Sequence, residues 1–394
     1  MTNNNNVHIA LAMMVKNESA RIHVSLESVK GYVNSCIIYD TGSTDGTIEI
    51  ISKFCEESNI LFRLKQGEFV DFSTSRNVLL DFADTFTDVN YLLMLDCNDE
   101  LQSGNELRAV CQEYLCKNVN AFHLLQKWEV GMETHTYYNI RLLKPRSNWR
   151  YKCKVHEYII KENATEPVVR IENVIIYQNR NMDTDGKTGR RFVRDKELLT
   201  SAYKEDPLEP RTLFYLAQTL ECLNEYENAL QMYNERIKTP QTGFIEEIFH
   251  AWLRGGKLCL LLNKGWEVAS GYFMKALEFD RIEPLLPIID YYRSKSMWGL
   301  AYYFAKMTCA MKFPTHCVLF VEDKHYKYTR WHIMGSLGYF VGTDEAYRDG
   351  KNACLEAIRA LNNESDKKNL GFYLNHEKDV LKESRISQIK NRKK

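Results

Sequence analysis

Several things this sequence lacks narrow what it can be. No apolar run reaches the roughly 18 residues a membrane-spanning helix needs. There is no excess of one charge, since Lys plus Arg and Asp plus Glu both total 52. A field that would draw nucleic acid or an anionic membrane surface is therefore absent. The 11 cysteines form no Cys-x-x-Cys pair of the metal-binding kind and are odd in number. Met1–Asn6 (MTNNNN) has neither the basic nor the apolar region of a signal peptide and reads as a short disordered leader. Together these lead to the expectation of free thiols in a reducing compartment, the cytoplasm. The Asn-x-Ser/Thr sequons at Asn17, Asn163 and Asn363 are then chance matches. The glycine-containing loop Asp40–Thr47 carries neither phosphate-binding signature, neither the Gly-Lys-Ser/Thr ending nor Gly-x-Gly-x-x-Gly.

What is present is an ordered globular composition, 44% hydrophobic and 26% charged over 394 residues, enough for two domains. The abundance of Asn, Lys, Ile and Tyr is what an AT-rich genome gives, that of a large virus among them. Val7–Val15 reads as a buried strand ending at Lys16-Asn17-Glu18, after which Ser19 is placed to cap a helix through Leu26 and Val29. A second strand, Val33–Asp40, ends on an acid and leads into the tight loop Thr41-Gly42-Ser43-Thr44-Asp45-Gly46-Thr47. A helix starting near Thr47 follows, then a short strand at 61–64. Asp71 opens a further helix carrying Arg76, whose place in the expected first turn, near the positive helix end, suits it to grip a phosphate. Tyr91–Leu95 is another buried strand, stopping abruptly at Asp96-Cys97-Asn98-Asp99-Glu100. Strand–helix alternation at this pace signals a parallel sheet, which places ligands beyond the carboxyl ends of its strands. Carboxylates released there suit a divalent cation, although a strand followed by an acidic turn has the same sequence.

MMVKNES, YDTGSTDGT, DFSTSRN and LMLDCNDEL, in this order and spacing, resemble the inverting family 2 glycosyltransferases of GT-A fold over roughly residues 7–180. The resemblance implies an α/β, Rossmann-like nucleotide-sugar domain. It implies that Glu18, Asp40 and Asp45 belong to the nucleotide pocket, with Arg76 and Asp96 beside the phosphates. Asp96-Cys97-Asn98 matches the Asp-x-Asp motif that holds Mn²⁺ or Mg²⁺, with Asn98 where the family has a second aspartate. An amide oxygen still ligates a hard cation, and Asp99 adds a carboxylate. In related enzymes a Val-His-Glu closes the site. By that likeness His156 is a third candidate metal ligand, and Glu157 a candidate general base alongside Glu129 and Asp99. The implied donor is a nucleotide sugar, with a UDP-sugar expected, and the acceptor a protein, peptide or glycan.

The polar run 182–191 reads as a linker, and helical periodicity occupies 192–380 before a basic tail, 381–394. Ala229-x3-Tyr233, Ala269-x3-Phe273-x2-Ala276, Ala301-x3-Ala305 and Ala346-x3-Gly350-x2-Ala353 recur inside pairs of expected helices. The pattern resembles degenerate tetratricopeptide repeats. Glu209-Pro210 and Glu283-Pro284 mark helix starts. Bacteriocin S-glycosyltransferases resemble this chain in joining the two modules. Such repeats suit a peptide partner, a homodimer or a simple buttress. Two rivals stay open. One is a repeat-based scaffold whose transferase domain has lost turnover, which Asn98 supports. The other is a nucleotidyltransferase or nucleotide-sugar hydrolase, which would be expected to carry a basic loop near the first strand, where only Lys16 stands.

Overall fold

The near-continuous apolar runs of the first half become strands buried on both faces. In β1 (Ile9–Val15) the side chains of Ile9, Leu11 and Met13 enter one core layer, and those of Ala10 and Ala12 the opposite one. A computed structural model describes residues 7–130, 133–179, 187–239 and 244–391. The chain divides into two compact units, Met1–Pro207 and Leu208–Lys394.

In the first unit, β1 pairs in parallel with β2 (Ser35–Asp40) and with β4 (Tyr91–Met94), and β2 with β3 (Leu61–Gln66). The carboxyl ends of these four strands therefore share one edge. Beyond β4 the sheet turns mixed. β7 (Glu133–Leu143) runs antiparallel to β4 and to β6 (Ala121–Val130), and β10 (Val168–Asn179) runs parallel to β6. The short β5 (Glu100–Leu101) closes the far edge, giving the order β3-β2-β1-β4-β7-β6-β10-β5. β8 (Arg150–Lys152) and β9 (Tyr158–Ile160) form a separate small ribbon.

Helices cover both faces. α1 (Ile22–Val29), α2 (Thr47–Glu57) and α4 (Gly104–Glu113) pack Leu26, Ile51 and Leu107 into one layer, while α3 (Phe72–Asp84) packs Leu79, Leu80 and Ala83 into the other. Asp71 caps α3 as expected, its carboxylate accepting from Thr74 N at 2.8 Å. Ser19 does not cap α1: the cap position is Arg21, whose side chain makes no capping bond, and Ser19 N is bound to Asp45 instead.

The expected linker, 182–191, lies outside the described residues up to position 186. From Lys187 it is already the first turn of α5 (Lys187–Glu205), which belongs to the first unit.

The second unit is built of helix pairs: α6 and α7 (Pro210–Cys222, Tyr226–Lys238), α8 and α9 (Ile245–Leu261, Trp266–Ala276), α10 and α11 (Leu285–Ser294, Trp298–Ala310), α12 and α13 (Arg330–Val341, Asp344–Leu361). Each small-residue motif falls on the second helix of a pair, where Ala229, Ala269, Ala301 and Ala346 are fully buried. Small side chains there let paired backbones approach closely. Pro210 starts α6 at the position that needs no N–H, and the Glu209 carboxylate caps it through Thr212 N. α14 (Glu364–Asn391) continues as helix through most of the stretch expected to be a tail.

Candidate functional site

The site is assembled where β1, β2 and β4 end. Two loops are stitched together there. Asn17 N donates to Ser43 Oγ at 3.0 Å, Asn17 Oδ1 accepts from Thr44 N at 2.8 Å, and Glu18 N donates to Thr47 Oγ1 at 2.8 Å. Asp45 accepts from Ser19 N at 3.0 Å and from Thr47 N at 3.1 Å, and its bond to the Thr47 hydroxyl is the main force holding its carboxyl below the usual range. Asp40, buried at the end of β2, accepts from Ser43 N at 3.0 Å and Gln66 Nε2 at 3.2 Å. The Glu18 carboxylate pairs with Arg21 Nε at 2.5 Å. Glu18, Asp40 and Asp45 thus shape one loop cluster of the edge.

The second cluster centres on Asp96, just past β4. Arg76 Nη2 donates to Asp96 Oδ1 at 2.6 Å, and Arg141 Nη2 donates to Asp96 Oδ2 at 3.0 Å. Burial of Asp96 opposes ionisation, but the two guanidinium charges outweigh it and hold the carboxyl well below its usual range. Arg76 Nε also donates to Glu157 Oε1 at 2.7 Å, so one arginine ties the end of β4 to the Val-His-Glu segment. Arg76 is the fifth residue of α3, in its second turn and not its first, so the helix-end argument does not bear on it.

The DFSTSRN helix holds residues 151–157 at three points. Phe72 N donates to Lys154 O at 3.1 Å, and Asn77 exchanges bonds with Tyr151 through Nδ2 to the carbonyl (2.9 Å) and Oδ1 from the amide (2.8 Å). The Arg76–Glu157 pair is the third. The segment takes left-handed backbone at Cys153 (φ 73°) and His156 (φ 54°), uncommon for side-chain-bearing residues.

Asp99 is fully buried, and burial pushes its carboxyl up to about 6, against the pull of Arg141. Its oxygens accept from Asp96 N at 2.9 Å and Gln178 Nε2 at 3.2 Å, and the same Gln178 amide donates to Asn98 Oδ1 at 3.0 Å. Asp99 has no surface with which to meet an acceptor. Glu129 is turned away as well. Gln126 accepts from Arg141 Nε at 3.2 Å, so the alternation of β6 puts Lys127 and Glu129 on the opposite face, where Glu129 accepts from Tyr177 Oη at 2.9 Å. Of the three candidate bases, only Glu157 lies in the cluster with part of its side chain exposed.

Whether these residues fit a divalent cation depends on how many ligands converge and on the charge that already surrounds them. Among the described residues no three His, Cys, Asp or Glu side chains come together to hold one. Both Asp96 oxygens are taken by arginines and the Asn98 oxygen by Gln178. The arrangement does not fit the metal that the Asp-x-Asp likeness implies.

Arg141, Gln126 and Gln178 were not singled out from the sequence. Arg141 had a signal, a charge inside the apolar run Ile140–Leu143; the two glutamines had none.

Residues 11–163 match the model of the family described as Glycosyl transferase family 2. The chain is 24% identical over 293 residues to the SPbeta prophage-derived glycosyltransferase SunS of Bacillus subtilis and equally to glycosyltransferase SunS of Bacillus phage SPbeta. Each alignment covers 73% of this chain and 66% of the relative, so the chain spans just under two thirds of their length. Among solved structures, MamA is similar at TM-score 0.31 and 16% identity, over 50% of this chain and 95% of that one. A TPR repeat-containing protein of Cytophaga hutchinsonii is similar at TM-score 0.33 and 12% identity, over 45% and 62%. PilF of Pseudomonas aeruginosa is similar at TM-score 0.33 and 15% identity, over 44% and 70%. No helix among the described residues is long and apolar enough to cross a membrane.

Proposed function

From the premise that residues 11–163 form a glycosyltransferase family 2 domain, we propose that the chain moves a sugar from a nucleotide sugar to an acceptor. A UDP-sugar is the proposed donor. The observation that carries this reading is the link through Arg76, which joins Asp96 at the strand edge to Glu157. It sets a phosphate-binding guanidinium beside a candidate base. Asp40, at the end of β2, and the stitched loops around Asp45 are where the nucleoside would lie.

The reaction is a single displacement with inversion. The acceptor's hydroxyl or thiol gives its proton to Glu157, whose Oε2 is the oxygen Arg76 does not hold. The acceptor atom bonds to the anomeric carbon as the bond from that carbon to the phosphate oxygen breaks, and the electron pair leaves on the nucleoside diphosphate. Positive charge fixed beside the leaving group lowers the barrier by about 3–4 kcal/mol for a well-placed donor. No step passes through a divalent cation, because the donor set does not fit one. The acceptor proposed is a protein, peptide or glycan, in keeping with the helical repeats.

Release of nucleoside diphosphate from a panel of sugar nucleotides, with wild type and Glu157→Gln, tests the proposal. Turnover of one donor, lost by about a hundredfold or more in the variant, is expected for a general base. The second reading, favoured by Asn98, is a transferase fold without turnover. It requires nucleotide binding but no release from any donor.

A further inference from the structure

The motif at the end of β4 carries five side-chain oxygens, on Asp96, Asn98 and Asp99, and each accepts a hydrogen bond from a protein N–H. Asp96 Oδ1 and Oδ2 take Arg76 and Arg141, and Asn98 Oδ1 takes Gln178. Asp99 Oδ1 takes the same Gln178 amide, and its Oδ2 takes Asp96 N. The backbone is held too, since Ser25 Oγ donates to Asp96 O at 3.0 Å. A cation entering here would face two buried guanidinium groups that already share one carboxylate.

The arginines themselves are not exhausted. A guanidinium has N–H groups in a planar fork suited to phosphate. Arg76 uses Nε and Nη2 toward Glu157 and Asp96, and Arg141 uses Nε and Nη2 toward Gln126 and Asp96, leaving further N–H donors on each. Tyr151 lies against Arg76, with its ring 5.4 Å from the guanidinium carbon.

Resting on the transferase reading above, we infer that this cluster receives the donor's diphosphate through Arg76 and Arg141 without a divalent cation. Asp96 serves as the shared anchor that aims the two arginines, and Asn98 as a hydrogen-bond partner of Gln178. The lost second aspartate is then part of a working arrangement. A carboxylate at position 98 would only add negative charge beside the arginines that take the phosphates.

The test is calorimetric titration of the full chain with UDP, GDP, ADP and TDP, once in EDTA and once with Mn²⁺. Electron paramagnetic resonance of Mn²⁺ with protein and nucleotide accompanies it. One nucleotide is expected to bind with the same affinity, within about twofold, in both buffers. No Mn²⁺ should become protein-bound beyond what the nucleotide carries by itself. Arg141→Gln should weaken that binding by about tenfold or more, and Arg141→Lys should restore part of it. Binding that improves tenfold or more with Mn²⁺, or a protein-bound Mn²⁺ signal in the ternary mixture, overturns the inference but leaves the transferase reading intact. No binding of any nucleotide in either buffer overturns both. The wild-type comparison needs no variant to fold.

Discussion

Arg141 and Asp96 lie 45 residues apart in sequence, and the guanidinium meets the carboxylate at 3.0 Å because of a bulge. Where β6 and β7 pair, Phe122 faces Leu142 and His123 faces Ile140, so Arg141 is the residue with no partner across the ladder. A bulge re-aims one side chain without ending the sheet. Here it turns a charge out of an apolar strand and onto the edge where β4 ends.

Removing Arg141 leaves the partly exposed Asp96 and the buried Asp99 short of one compensating charge. Arg141→Met is expected to cost about 3–5 kcal/mol of stability, as is Arg76→Met. Because both arginines share Asp96, the double variant should lose less than the sum. Urea denaturation of the three variants checks both statements.

Asp99 gives a pH dependence of unusual sign. Burial raises its folded carboxyl to about 6, against an unfolded value near 3.8, with Arg141, Asp96 and Arg76 the charged groups acting on it. Between these values the folded state binds more protons than the unfolded state, so this group's contribution to stability falls as pH rises from about 4 to about 6. The full difference is on the order of 2–3 kcal/mol. Asp99→Asn should flatten that slope, while lowering stability overall because an amide cannot accept from both Asp96 N and Gln178. Unfolding curves at pH 4.5 and 7 for wild type and variant measure it.

Asp45 works the other way. Its depressed carboxyl contributes stability above the unfolded value, and that contribution is lost as pH falls through the folded one. Asp45→Ala should cost about 1 kcal/mol at neutral pH, the usual value of a helix-start bond, and progressively less in acid. Amide exchange at Ser19 and Thr47 should rise with it.

In the second unit, α12 and α13 are in contact at Gly338. A Cβ there would collide with the Ala346 carbonyl oxygen, which belongs to backbone and has little room to yield. Gly338→Ala is expected to cost about 1–3 kcal/mol by overpacking. Gly271→Ala, where a Cβ meets nothing, should be neutral or slightly stabilising. Thermal unfolding of the two variants compares them directly.

The sequence made some of this legible and not the rest, for physical reasons. β1, β2 and β4 announce themselves because both faces are buried, and α3 because Asp71 caps it. The repeats are visible because Ala229, Ala269, Ala301 and Ala346 recur at corresponding, fully buried places on the second helix of each pair. β5, β8 and β9 are too short for any periodicity, and β10 alternates too little to stand out. Glu129 looked suitable as a base only until the register of β6 fixed its face. The pairing of Asp96 with two arginines, one from a helix and one from a bulged strand, exists only once the sheet is assembled.

The thermal stability of the purified chain against UDP, GDP, ADP and TDP bears most directly on whether this is a nucleotide-sugar enzyme. At a hundredfold excess over its dissociation constant a ligand adds about 2.7 kcal/mol, an easily seen rise. One nucleotide, expected to be UDP, should raise the midpoint in the wild type and fail to do so in Arg76→Lys. A chain that gains no stability from any nucleotide would contradict the transferase reading at its root.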